Sequence, residues 1–272
     1  TKYEQTNPDI NLSQETCVTI TWMKLCLQML RLTGDLRCAD EIERSLGNAL
    51  LGALRPDGQF FEYFPKFNGQ RNPRVNFSFN IKGFDLSCCT ANGPTALAMA
   101  PYLYAMKTEE GCVLNLYENG SFTVPCKGGS VSFAVSSRYP MLGAATIRVT
   151  ASDTSEPMTL GLRVPGFAQD FYAICQGKLI PGTPGTYLPV TRPWQAGDEL
   201  TVAFDIPLTC HPAPHGDNRE GDNFCAFTYG SLLLSRDNRY TENPLLPINS
   251  TNVTDFRIMP SDCGGYLRAE VQ

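Results

Sequence analysis

Two adjacent cysteines, Cys88 and Cys89, and the triplet Glu15-Thr16-Cys17 are the residues of this chain whose types and spacing could do chemistry. Neighbouring cysteines do not readily close a disulfide on each other, because the peptide between them holds their Cβ atoms in an unsuitable geometry. A metal is one alternative: zinc takes four ligands from thiolates, imidazoles and carboxylates, and Glu15, Cys17, Cys88 and Cys89 supply three sulfurs and one oxygen. Simple packing is the other, since unpaired cysteine is among the most buried residue types. The pair follows an aromatic stretch and sits just before an expected helix start, where the helix dipole lowers a thiol pKa. That setting favours thiolate character.

The elements that must position these residues can be read from periodicity. From Glu15 to about Leu32 the chain is apolar on nearly all sides (Val18, Ile20, Trp22, Leu25, Leu27, Met29, Leu30), which predicts a deeply buried helix stopped by Gly34. Asp40 to Leu54 reads as a second helix with Ile42, Leu46, Ala49, Leu50 and Ala53 on one stripe. Between Gln59 and Leu86 aromatics crowd the chain (Phe60, Phe61, Tyr63, Phe64, Phe67, Phe77, Phe79, Phe84), as short strands or an extended hairpin would. A third helix is expected from Gly93 to Met106, with Pro94 near its start. Beyond Gly111 the pattern changes to alternation in Ser130–Ser136, Ala145–Ala151, Met158–Val164 and Leu200–Ile206, separated by turn residues. Short strands at this spacing predict a β-sandwich. The expected fold is therefore α + β and multidomain: a helical region over 1–110, a β-sandwich over 111–206, and a second, incomplete β-sandwich over 207–272.

Composition narrows the partners. With 272 residues, a net charge of -5 and a sequence pI near 5.1, the chain has no run of lysines and arginines to follow a phosphate backbone, so nucleic acid is not an expected partner. No uninterrupted apolar stretch reaches the roughly 20 residues that cross a bilayer, and no signal peptide is evident. The chain begins Thr1-Lys2-Tyr3, which reads as a mature form or as part of something longer. Eleven cysteines is an odd number at irregular spacing, so reduced thiols with a metal-binding or catalytic subset fit better than a disulfide framework.

Several stretches resemble glycoside hydrolase family 127, the β-L-arabinofuranosidases and their relatives. They are Glu15-Thr16-Cys17 leading a buried helix, Leu32-Thr33-Gly34-Asp35 ending it, Ala39-Asp40-Glu41-Ile42-Glu43-Arg44 followed by Asn48-Ala49-Leu50-Leu51-Gly52, and Cys88-Cys89 followed by Asn92-Gly93-Pro94. Leu162-Arg163-Val164-Pro165-Gly166-Phe167-Ala168 and Arg192-Pro193-Trp194-Gln195-Ala196-Gly197-Asp198 resemble strands of that family's sandwich. The resemblance implies an (α/α)-barrel catalytic domain followed by β-sandwich domains, with only the last helices of the barrel present here and the N-terminal part of the same protein missing. It implies zinc held by Glu15, Cys17, Cys88 and Cys89, with Cys88 as the nucleophile of a retaining mechanism on a carbohydrate substrate. It also implies a glutamate as general acid/base upstream of the Glu-Thr-Cys motif, a role for which Glu4 is a poor candidate. The chain departs from the family in having Thr90-Ala91 where two prolines are common, which leaves substrate preference open.

Tyr63 is a candidate sugar contact, with core packing as its alternative. His211 and His215 read as loop residues, and Cys26, Cys38, Cys112, Cys126, Cys175, Cys210, Cys225 and Cys263 as packing residues without shared spacing. A non-catalytic carbohydrate-binding or structural module is the rival to the enzyme reading, and a purely structural zinc site is a third.

Overall fold

The computed structural model describes residues 15–55, 58–63, 65, 79–81, 84–212, 225–235, 248, 250–260 and 267–271. Glu4, His215, Cys263 and the side chains of Phe64, Phe67, Phe77, Phe79 and Phe84 lie outside the described residues. The described chain divides into two compact units, the first ending at Tyr104 and the second beginning at Ala105.

The first unit is helical. Helix α1 (Thr16–Thr33) buries Ile20, Met23, Cys26, Leu27 and Leu30. It ends where Gly34 turns left-handed (φ 70°) and returns its N–H to the Leu30 carbonyl at 2.9 Å, a conformation that costs glycine nothing. Asp35 then caps helix α2 (Leu36–Arg44) by accepting the Arg37 N–H at 3.0 Å, so α2 starts four residues before the expected Asp40. The chain continues through a π-helical stretch, Ser45–Leu50, into a final turn, α3 (Leu51–Ala53). A hairpin of β1 (Phe79–Ile81) and β2 (Phe84–Leu86) leads into Ser87, whose Oγ accepts the Thr90 N–H at 3.1 Å and caps helix α4 (Cys88–Tyr104). Cys88 and Cys89 therefore occupy the first turn of α4, not the loop before it. Pro94 and Pro101 lie inside the helix, where each removes an N–H from the ladder. Helices α2 and α4 both pack against α1. Val18, Trp22, Leu25, Met29 and Leu32 form a second apolar stripe on α1 that is exposed, where periodicity predicts burial all round.

The second unit is β-rich. One sheet has six strands in the order β10-β9-β12-β7-β6-β5, formed by β5 (Gly120–Cys126), β6 (Gly129–Ser137), β7 (Gly143–Ser152), β9 (Gln169–Cys175), β10 (Lys178–Pro181) and β12 (Glu199–Asp205). The other has four in the order β11-β8-β4-β3, formed by β3 (Ala105–Lys107), β4 (Gly111–Leu114), β8 (Met158–Arg163) and β11 (Tyr187–Arg192). Alternate residues of both sheets supply the core: Val131, Phe133, Ile147, Val149, Leu200 and Val202 from the first, Leu114, Leu160 and Leu162 from the second. All four strands predicted by alternation are present, as β6, β7, β8 and β12.

Trp194 is the central plug. It meets Phe133 edge-on at 5.6 Å and donates its indole N–H to the Met158 carbonyl at 2.9 Å. Arg192 lies over its ring and pairs with Asp198 at 3.1 Å, while Asp198 also accepts the Gln195 N–H, so the segment from Arg192 to Asp198 is a packing device. Beyond Pro207 a three-stranded sheet, β13 (Leu208–Pro212), β14 (Cys225–Tyr229) and β15 (Leu232–Leu233), and an antiparallel pair, β16 (Phe256–Pro260) and β17 (Leu267–Val271), complete the described chain. His211 lies on β13 with Nε2 2.9 Å from the Thr228 hydroxyl, so it is a strand residue and not the expected loop residue.

Candidate metal centre

The Glu-Thr-Cys triplet divides its work by direction. Thr16 points inward, where its hydroxyl donates to the Glu62 carbonyl at 2.5 Å and its N–H to the Tyr63 carbonyl at 3.0 Å. The start of α1 is thereby tied to segment 60–63, which is itself fixed by the Arg55 N–H to Phe60 carbonyl bond at 2.8 Å and the Glu62 N–H to Ala53 carbonyl bond at 2.7 Å. Glu15 and Cys17, on either side of Thr16, face the first turn of α4.

All four candidate ligands meet there. The Glu15 carboxylate and the Cys17, Cys88 and Cys89 sulfurs lie within 4.8 Å of one another. Cys17 Sγ is 3.4 Å from Cys89 Sγ, and the Glu15 Oε1 atom is 3.4 Å from Cys88 Sγ and 4.0 Å from Cys89 Sγ. A tetrahedral zinc with bonds of about 2.3 Å to sulfur and about 2.1 Å to oxygen separates its ligand atoms by about 3.6–3.8 Å. The donor set fits such an ion, and atoms that lie within 4.8 Å of one another reach that spacing with shifts of no more than about 1 Å. Burial is graded: Cys89 is fully buried, Glu15 and Cys17 are partly covered, and Cys88 is exposed.

The electrostatics point the same way. Burial pushes the Cys17 thiol up, offset in part by a hydrogen bond from Asn92, and burial with the neighbouring Cys17 thiol pushes Cys89 up further. Both therefore carry protons at neutral pH in the absence of metal, and an ion must displace them to bind. The Tyr63 phenol is raised as well, first by its hydrogen bond to Cys88, then by desolvation and the Glu15 charge. Tyr63 is half-buried, with its phenol beside Cys88.

Three residues that pattern reading passed over complete the arrangement. Ser87 caps α4. Asn92, one turn beyond Cys88, donates its Nδ2 proton to Cys17 Sγ at 3.3 Å. Gly93 lets α4 approach so closely that a Cβ there would stand 2.1 Å from the buried Phe61 ring. A helix start at Cys88 places Asn92 four residues on, on the same face as Cys88, and that spacing is the signal that would have found it.

The GH127 catalytic-domain profile of β-L-arabinofuranosidases matches residues 1–101, and the GH127 middle-domain profile matches residues 111–206. The chain belongs to glycoside hydrolase family 127. It is similar to a non-reducing end β-L-arabinofuranosidase of Bifidobacterium longum subsp. longum, 26% identical over 220 residues, with 76% of this chain and 32% of that protein covered. Among solved structures, a GH127 β-L-arabinofuranosidase from Geobacillus stearothermophilus T6 superposes with a TM-score of 0.67 at 26% identity, covering 83% of this chain and 37% of that one. A protein described as a glycoside hydrolase gives a TM-score of 0.67 at 23% identity, with 81% and 37% covered, and shares the fold. The chain spans about a third of the length of these relatives. As in those neighbours, a helical domain is followed by a β-sandwich.

Proposed function

We propose that this chain is part of a retaining glycoside hydrolase acting on β-L-arabinofuranosides or related plant glycans, with zinc held by Glu15, Cys17, Cys88 and Cys89. The observation that carries the reading is the graded burial of the four donors. A site built only to staple the fold has no need of an open face, whereas Cys88 presents its sulfur to solvent at the N-terminus of α4.

In this reading residues 1–110 are the closing helices of an (α/α) barrel, 111–206 a β-sandwich and 207–272 a second, incomplete one. The N-terminal part of the same protein supplies the rest of the barrel. Zinc bound at the site would supply the positive charge that keeps its cysteine ligands ionised at neutral pH. Cys88 Sγ attacks the anomeric carbon while the glycosidic C–O bond breaks, and the leaving oxygen takes its proton from a carboxylic acid in the upstream part of the helical domain. Water then displaces Cys88 from the same carbon, giving up its proton to the same carboxylate, so two inversions give net retention. Tyr63, beside Cys88, contacts the sugar and orients the attacking sulfur.

The test uses the longer protein that carries the complete helical domain, assayed on an aryl β-L-arabinofuranoside. Cys88→Ser lowers kcat by about a thousandfold or more while the protein remains folded. Near-wild-type turnover by Cys88→Ser would remove the nucleophile, and a wild-type protein that holds no zinc by elemental analysis would remove the metal.

A further inference from the structure

We infer that Asn92 is a positioning residue that makes Cys17 the fixed thiolate ligand of the metal centre, leaving Cys88 as the sulfur at liberty to react. The inference rests on the metal-site reading above. Its geometric basis is a difference in hydrogen-bond roles among the three sulfurs. Cys17 Sγ accepts a proton from the Asn92 amide, Nδ2 to Sγ 3.3 Å, between residues 75 apart in sequence. Cys89 instead faces acceptors, Glu15 Oε1 and the Tyr63 carbonyl each 4.0 Å from its Sγ, while Cys88 has Glu15 Oε1 at 3.4 Å and the Tyr63 hydroxyl, a group that both donates and accepts, beside it.

An amide –NH2 is a donor only, so it complements a sulfur that keeps its lone pairs available, as a ligating thiolate does. The contacts of Cys88 and Cys89 with Glu15 and the Tyr63 carbonyl are hydrogen bonds only while those thiols carry protons. Asn92 is half-buried on α4, and its backbone is fixed one turn beyond the Ser87 cap. It therefore ties the α1 ligand to the helix that carries the other two sulfurs. Donors in this position orient metal ligands and tune them, and their removal typically lowers metal affinity by roughly ten- to a hundredfold. A hydrogen bond that draws charge from Cys17 also makes it the least nucleophilic of the three. The division leaves reactivity at exposed Cys88 while Cys17 holds the ion.

The experiment follows the metal and not turnover. Wild type, Asn92→Asp and Asn92→Leu are loaded with Co2+ and with Zn2+, folding is checked by far-UV circular dichroism, affinity is read by chelator competition, and the sulfur-to-cobalt charge-transfer band is recorded. Both variants are expected to bind zinc roughly ten- to a hundredfold more weakly. Asn92→Asp should be the weaker, because its carboxylate faces a thiolate, and the charge-transfer band should shift in both. Affinities within twofold of wild type with an unmoved band in folded variants overturn the inference while leaving the metal site standing. Wild type that binds neither ion overturns both. On wild type alone, 113Cd-loaded protein should show scalar coupling between the cadmium and an Asn92 side-chain amide proton across the N–H···Sγ bond. Failure to observe it in a cadmium-bound sample overturns the inference even if both variants unfold.

Discussion

Replacing Gly93 by alanine sets two well-defined effects against each other. Gly93 is inside α4, where alanine is favoured over glycine by about 0.5–1 kcal/mol. Its new Cβ, however, would lie 2.1, 2.3 and 2.4 Å from three carbons of the Phe61 ring, where ordinary carbon contacts are about 3.5–4.0 Å. The ring must retreat by more than about 1 Å, and Phe61 is only 3% exposed, so no free space receives it. Overpacking of this kind costs about 1–3 kcal/mol, which exceeds the helix-propensity gain, and a net loss of about 1–2 kcal/mol is expected. The damage also reaches the metal centre, because Phe61 is one residue from the Glu62 carbonyl that holds Thr16 and two from Tyr63. Urea titration of Gly93→Ala, Phe61→Leu and the double variant measures the effect, with zinc affinity read alongside. The double variant should be more stable than the sum of the single losses by about 1 kcal/mol, since the smaller side chain leaves room for the methyl group. A Gly93→Ala protein at least as stable as wild type, or strict additivity in the cycle, would refute the close approach of α4 to Phe61.

Three further outcomes are expected. Because Cys17 and Cys89 are protonated in the metal-free protein at neutral pH, zinc binding should release about two to three protons per site, measured with an indicator in weak buffer; fewer than one would contradict the thiolate ligand set. Burial pushes the Tyr187 phenol, which donates to Asn115 Oδ1 at 2.5 Å, up to about 12. The folded state then holds this proton more tightly than the unfolded chain. Its contribution is fully present below the unfolded value of about 10 and is lost, to the extent of about 2 kcal/mol, as pH rises through about 12. Tyr187→Phe should flatten that slope in denaturant midpoints taken on both sides of this range, and an unchanged slope would count against it. At the other extreme, Arg37 holds the Asp35 carboxyl below its usual range, so this contribution is present above the unfolded pKa and disappears as pH falls through the lower folded one. Asp35→Asn keeps a capping oxygen while removing that acid dependence, so acid unfolding of the two proteins should differ in slope and their neutral stabilities little.

The clustering of Glu15, Cys17, Cys88 and Cys89 was legible because a vicinal cysteine pair is chemically unusual and Glu-x-Cys brings two donor types to one helix start. The sandwich strands were legible because alternation at β6, β7, β8 and β12 is a direct record of one face turned inward. The beginning of α4 was not. Pro94 resembles a first-turn proline, which draws the expected start to Gly93, yet the Ser87 cap lets the helix begin five residues earlier, at Cys88, with the proline inside. That displacement hid the role of Asn92, whose relation to Cys88 is visible only in helical register. The start of α2 was misplaced for a similar reason, because Asp35 follows the Gly34 stop directly and leaves no loop to see. The packing of Gly93 against Phe61 joins residues with no common pattern and emerges only in three dimensions.

Cys17 and Cys89 lie 72 residues apart in sequence, yet their sulfurs touch. Bringing the ends of a chain of that length together costs about 4 kcal/mol of conformational freedom before the fourth donor can arrive. The cluster is therefore a late product of folding, assembled only after the intervening chain has returned α4 to α1. Since the unfolded chain holds no such cluster, zinc bound as proposed would stabilise the folded state alone, by about 4 kcal/mol when the free ion stands at about a thousand times its dissociation constant. Zinc supply would then set how much of the protein is folded as well as how much is active. A chelator would act on this chain as a reductant acts on a disulfide, opening a long loop at its neck.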